Sequence, residues 1–220
     1  MKRAWHRTRP ELLEQIREEI QSHYPSLQLS CEEDIVFVRG SYPITFEGEI
    51  LDRYAVEIEF PPDYPDLLPV VRETGGRIPH TSDYHMSNDG DACLFVPDER
   101  WWILPPGFSF LDFLRGPVFN FFLSQAVVSL GEPWPFGQRQ HGAGGIREFY
   151  AGLLGTNDLD VMRGYLEFLS SSQVKGHWSC PCRSGKRIRQ CHQVQIVDLR
   201  AKIPTRIAKR SLEFLSGIKQ

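Results

Sequence analysis

Apolar residues along this chain change their spacing from stretch to stretch, and each change predicts an element. From Pro10 to about Tyr24, Leu12, Leu13, Ile16 and Ile20 recur at helical intervals with charges between them, which predicts an amphipathic helix. The period then shortens. "DIVFVRG" and "YPITFEG" are short and rich in β-branched and aromatic residues, and a Gly-Ser turn is expected between them. "YAVEIEF" places Tyr54, Val56, Ile58 and Phe60 on one face and Glu57 and Glu59 on the other. "PPDYPDLLPVV" carries too many prolines for a central strand and reads as a rigid connection into a fourth strand near Val70. Residues 75 to 107 are rich in Gly, Pro, Asp and Ser, a long irregular loop of the kind that carries function. Helices follow in "FSFLDFLRGPVFNFFLSQAVVSL", interrupted at Gly116-Pro117, in "GIREFYAGLL" and in "DLDVMRGYLEFLSS". The expected class is α+β: a helix, a four-strand antiparallel meander, a loop, and C-terminal helices.

Composition narrows the function classes. The 220 residues are 41% hydrophobic, enough for a sizeable core, and 25 basic against 28 acidic residues leave a charge of −3. That balance gives no general attraction to nucleic acid or an anionic membrane. No signal peptide or membrane span is evident, and a cytoplasmic protein is expected. Of five cysteines, three crowd between residues 180 and 191, which suits a metal site in a reducing compartment better than disulfides.

In "GHWSCPCRSGKRIRQCHQ", Cys180, Cys182, Cys191 and His192 offer four soft or borderline ligands, and Ser184-Gly185 lets the chain turn back between them. Four ligands leave no open position, so structural zinc is expected. The stretch resembles the SEC-C motif, "CPCGSGKKYKKCH", with Arg183 in place of the first glycine. The basic run Lys186, Arg187 and Arg189 reads as a solvated face. Beyond it, the chain looks helical and basic, broken at Pro204.

Phe60, Pro61, Tyr64, Pro65 and Pro69 follow the pattern "FPxxYPxxPPxV", with Leu68 in place of the first proline of its pair. Gly90, Cys93 and Leu94 match "GxxCL", and Trp101 follows Cys93 by eight residues. Over roughly residues 5 to 155 the chain thereby resembles ubiquitin-conjugating enzymes. The family's His-Pro-Asn triplet would fall on Asp83, Tyr84 and His85, so His85 stands where the family has an asparagine. Bacterial relatives resemble the chain more closely, sharing that histidine and a segment like "GEPWPFGQRQHG". The resemblance implies a ubiquitin-conjugating-like domain over 1–157, a helical connector over 158–176, and the zinc motif with a C-terminal helix over 177–220. It further implies a thioester on Cys93, formed with the C-terminus of a cGAS-like nucleotidyltransferase in an antiphage operon. That acyl group would pass to an amine, such as a lysine of a target protein.

The residues make that chemistry workable. A cysteine with a pKa of about 8.5 is mostly thiol at neutral pH and gains from a nearby base or donor, and His85 is nearest in sequence. Asp89 and Asp91 would raise the thiol's pKa if close, but a carboxylate such as Asp91 can receive an incoming amine. Asp98 and Glu99 are further candidates. No stretch of this sequence reads as an adenylating domain, so the expectation is that either a separate activating enzyme loads Cys93 or the thiol attacks a peptide bond near the donor's C-terminus. Two alternatives stand beside this reading: a Cys-His protease or isopeptidase, and an idle binding module with an inert Cys93. A nucleic-acid adaptor is disfavoured by the acidic pI. Cys31 reads as a core or half-buried thiol, and Tyr64 as structural. His80 is a weaker base than His85, and His6, His23 and His141 show no partner. Trp101, Trp102, Phe108, Phe110 and Phe113 are expected to fill the core beneath the loop.

Overall fold

The computed structural model describes residues 4–137, 140 and 142–217. Two helices, α1 (Trp5–Thr8) and α2 (Pro10–His23), lead into strands β1 (Leu27–Glu32), β2 (Ile35–Phe46), β3 (Glu49–Phe60) and β4 (Val70–Glu73). After the long loop come α3 (Arg100–Ile103), α4 (Phe110–Phe113), α5 (Phe119–Ser129), α6 (Ala143–Leu154), α7 (Leu159–Ser170), α8 (Gln193–Lys202) and α9 (Thr205–Ser216). The class is α+β, with one antiparallel sheet in the order β1-β2-β3-β4. Among the described residues no helix is long and apolar enough to cross a membrane.

The four strands are not the four expected. "DIVFVRG" and "YPITFEG" form one continuous strand, β2, and the fourth member of the meander is β1, which the pattern missed. β1 is a polar edge strand whose Gln28, Cys31 and Glu32 are exposed. It is held mainly by its ladder to β2, and such a ladder leaves little trace in side-chain chemistry. Cys31 is therefore an exposed thiol, not a core one. The expected Gly-Ser turn fails for a local reason. At Gly40, φ is +143°, and a Cβ there would lie 2.1 Å from the Ser26 carbonyl oxygen. That close approach lets β2 run straight past the start of β1, where Ser41 N–H donates to Ser26 O at 3.1 Å.

The chain clusters into two compact units. One comprises the described residues up to Leu94 with Gly107–Gly137; the other comprises Phe95–Pro106 and the described residues from 140 onward. In the first, Tyr54, Val56, Ile58 and Phe60 point into the core as the alternation predicts, and Tyr54 packs on Phe122 with ring centroids 4.8 Å apart. Each such large side chain contributes about 1.5–3 kcal/mol through burial. Tyr64 is buried between Trp5 and Phe60. At Gly116-Pro117 the helical run does not break. It widens into a π turn over Leu114–Val118, where proline's missing N–H is accommodated and the Tyr42 hydroxyl donates to the Leu114 carbonyl at 2.7 Å.

In the second unit α6 to α9 share one core that includes Tyr150, Met162, Leu166, Ile188, Ala208 and Leu215. Phe110 and Phe113 are buried in the first unit; in the second, Trp102, expected in the core, is exposed, edge-on to Phe149 with the Lys202 ammonium 5.3 Å over its ring. Trp101 and Phe108 are half-buried. Gly40→Ala is expected to destabilise the first unit by about 2 kcal/mol or more, because the side chain meets backbone that cannot swing away; denaturant unfolding would measure it.

Candidate functional site

The loop that follows β4 is organised by one buried carboxylate. Glu73 accepts the N–H groups of Gly75 at 2.7 Å and Arg77 at 2.9 Å, turning the chain sharply away from the sheet. The chain then comes back. Asp91 bridges Arg72 in antiparallel fashion, and the Ala92 N–H donates to the Val71 carbonyl at 2.8 Å, so residues 91 and 92 continue the sheet beyond β4. Met86 pairs with Ala92 in turn, and the buried Met86 side chain anchors this short hairpin. Between them Ser87 closes the turn: its N–H donates to Asp91 O at 2.9 Å, and its Oγ accepts the Asp91 N–H at 3.0 Å. Gly90 is required there twice over. Its φ is +84°, and a Cβ would come within 2.7 Å of the His80 ring.

One register step beyond Met86 and Ala92, His85 and Cys93 face each other, and the Cys93 N–H donates to the His85 carbonyl at 2.8 Å. His85, not His80, is thus the histidine opposite Cys93; the His80 ring lies over Gly90. His85 caps the short turn Ser82–Tyr84 in the left-handed region, φ 53° and ψ 38°, and its ring meets Trp134 edge-on at 4.8 Å. The preceding carbonyl, of Tyr84, accepts a hydrogen bond from the buried Gln125 amide at 2.7 Å. Sequence reasoning passed over Arg72 and Gln125 and met Trp134 only as part of the segment "GEPWPFGQRQHG", since each reaches the hairpin only through the folding of distant segments.

Cys93 is exposed, yet its surroundings strip enough water from the sulfur to push the thiol up, and the nearby Asp91 charge pushes it the same way. The Asp91 carboxylate is in turn held by Arg72 Nε at 2.8 Å, and the same guanidinium binds Glu59 at 2.7 Å and Glu57 at 3.2 Å. Arg39 continues this chain of charge from Glu57 to Glu32 across the open face of the sheet. Asp89 is exposed on the hairpin turn, and Glu99 is half-buried. Asp98 is engaged by two hydroxyl donors. It is buried in the second unit, where it accepts the Tyr150 hydroxyl at 2.6 Å and the Ser211 hydroxyl at 2.8 Å, and burial pushes its carboxyl up. His23 Nδ1 accepts from Arg115 at 3.1 Å, and His141 lies outside the described residues.

The second cluster is Cys180, Cys182, Cys191 and His192, whose ligand atoms all lie within 4.8 Å of one another. Cys180 Sγ is 3.3 Å from His192 Nδ1, Cys191 Sγ is 3.2 Å from the same nitrogen, and Cys182 Sγ is 3.5 Å from Cys191 Sγ. Bonds of about 2.3 Å to a tetrahedral zinc imply sulfur–sulfur edges of about 3.8 Å, so these residues could close on a metal ion such as zinc with shifts of about 1 Å. Backbone bonds from Cys180 N–H to Lys186 O at 2.8 Å and from Ile188 N–H to Trp178 O at 2.9 Å fold the knuckle back on itself. Arg183 adopts a left-handed backbone, φ +60°, of the kind glycine takes most easily, and its guanidinium binds Asp160 at 2.7 Å and Asp158 at 3.4 Å. Desolvation opposes ionisation of Cys182, but hydrogen bonds with Ser184 and its neighbouring thiols bring it down to about 6, while burial pushes Cys180 up to about 11.

Alkylation of Cys93 by iodoacetamide is expected to rise with pH through a midpoint above the ordinary thiol value of about 8.5. Asp91→Asn removes the negative neighbour and should move that midpoint down; peptide mass mapping at each pH reads both. No protein-family model matches the chain, and no curated protein or solved structure matches it.

Proposed function

We propose that this protein is a ubiquitin-conjugating-like acyl carrier, in which Cys93 holds the C-terminus of a partner protein as a thioester and passes it to an amine. The observation that carries this reading is an exposed cysteine on a hydrogen-bonded hairpin at the sheet edge, facing His85 across the ladder. Its support from sequence is the resemblance at Gly90, Cys93, Leu94 and the proline-rich stretch before β4. The α+β order and the four-strand antiparallel sheet agree with such a fold.

In the loading step, Cys93 Sγ attacks the carbonyl carbon of a donor thioester, the donor's C–S bond breaks, and its thiol leaves with a proton. In the transfer step an amine nitrogen attacks the Cys93 thioester, a C–N bond forms, the C–S bond breaks, and a proton passes from nitrogen to solvent or sulfur. Loading runs either through a separate activating enzyme with ATP or through attack of the thiol on a peptide bond near the donor's C-terminus. His85 serves as a donor to the oxyanion of the tetrahedral intermediate, and Asp91 receives the acceptor amine. The donor we propose, by the same resemblance, is a cGAS-like nucleotidyltransferase of an antiphage operon, and the acceptor a lysine of a target protein. A cytoplasmic setting suits a protein whose five cysteines are all free thiols. We further propose that the knuckle holds one structural zinc through Cys180, Cys182, Cys191 and His192 Nδ1.

Incubation with such a nucleotidyltransferase, an activating enzyme and ATP should produce a thiol-labile adduct by intact mass, absent in Cys93→Ala. If no adduct forms with or without ATP and activating enzyme, the carrier reading fails and the binding-module reading takes its place. A thiol-labile adduct formed without ATP would instead point to the protease-like route. Metal analysis should find about one zinc per chain, lost in Cys182→Ser and weakened from neutral pH to about pH 5, since the ligands must shed protons to bind.

A further inference from the structure

Among the described residues, the buried polar side chains are Glu73, Asp98, Ser124, Gln125 and Ser211. Glu73 serves its own turn, Ser124 its own helix, and Asp98 and Ser211 each other. Gln125 differs. It sits in α5, only 4% exposed, and its Nε2 reaches back 41 positions to the Tyr84 carbonyl at 2.7 Å.

That carbonyl belongs to the peptide bond that enters His85, so the hydrogen bond sets the plane on which His85 is mounted. The peptide on the other side of His85 is set by the Cys93 N–H, which donates to the His85 carbonyl at 2.8 Å. The ring itself meets Trp134 edge-on at 4.8 Å. Backbone before, backbone after and ring are each restrained, and the residue is kept in a left-handed conformation, φ 53°, which costs a non-glycine residue roughly 1 kcal/mol. A histidine held in an unfavourable conformation by three separate contacts, across a ladder from an exposed cysteine, has been given a direction as well as a place.

We propose that Gln125 and Trp134 are positioning residues that hold the His85 imidazole toward the oxyanion formed when Cys93 is acylated or deacylated. This inference rests on the acyl-transfer reading above. Neither residue touches the reacting atoms; each acts through His85. A hydrogen-bond donor contributes to such a step only if it is already aimed at the oxygen that gains charge, and that aim is what the amide and the indole supply. Gln125 fixes the backbone from the core side, and Trp134 limits the swing of the ring.

The test uses the full chain and p-nitrophenyl acetate as acyl donor. Cys93 Sγ attacks the acetyl carbon, the bond to p-nitrophenolate breaks, and the thiol proton goes to solvent. Acetylation is followed by mass on the Cys93 peptide, with iodoacetamide alkylation as a reference, because displacement of iodide builds no oxyanion. Gln125→Met keeps volume and removes the donor. It is expected to slow acetylation about tenfold while alkylation falls far less, and the double variant with His85→Ala should be no slower than His85→Ala alone. Equal slowing of both reagents, or independent losses that multiply in the double variant, would overturn the positioning role. Acetylation at the wild-type rate in His85→Ala would instead remove the proposed role of His85, and this inference with it. Should Gln125→Met fold poorly, Trp134→Ala is put through the same comparison, with the same outcomes deciding.

Discussion

The candidate site depends on one backbone hydrogen bond, from Ala92 N–H to the carbonyl of Val71. A loop of this length with so little regular structure would ordinarily leave its residues free to sample many arrangements. By returning to the edge of β4, residues 91 and 92 borrow the rigidity of a four-stranded sheet whose centre is packed with Tyr54, Ile58 and Phe60. Everything else at the hairpin is reckoned from that contact: the pairing of Met86 with Ala92, the turn closed by Ser87, and the placement of Cys93 opposite His85. The edge that would otherwise expose unpaired N–H and C=O groups is covered by the same step.

Electrostatics around Cys93 run against early ionisation. Water is partly withdrawn from the sulfur and Asp91 adds a negative neighbour, while Arg72 divides its charge among Asp91, Glu57 and Glu59. Both effects favour the protonated thiol over the thiolate. The chain of alternating charge from Glu32 through Arg39, Glu57 and Arg72 to Asp91 also fixes the Asp91 carboxylate on one side. These pairs are partly exposed, so their value lies in orientation more than in stability.

The second unit solves a different problem. A knuckle of this size has almost no core of its own, yet Ile188 from its centre joins the core formed by α6 to α9. Ligand convergence and hydrophobic burial therefore reinforce one another. Arg183 adopts a left-handed backbone at a cost of about 1 kcal/mol, and its side chain gains two carboxylate partners at the start of α7, although exposed ion pairs return only part of that cost.

Much of this was written in the sequence. The alternation in "YAVEIEF" named the buried face of β3, the spacing of Ile16 and Ile20 named the buried face of α2, and the cysteine–histidine spacing brought the four metal-competent residues to one point. These are short-range signals, read from period and spacing alone. Where the sequence misled, long-range contact decided: Gly40 looked like a turn because its close approach to Ser26 cannot be seen in one dimension, and polar β1 takes its place from its ladder to β2. Asp98 looked like a candidate acid and is a buried acceptor for Tyr150 and Ser211, 52 and 113 positions away. The residue types near Cys93 were legible from sequence. Which histidine faces it, what orients that histidine, and whether its thiol is raised or lowered depended on backbone pairing, desolvation and charge across distant segments, and these exist only once the chain has folded.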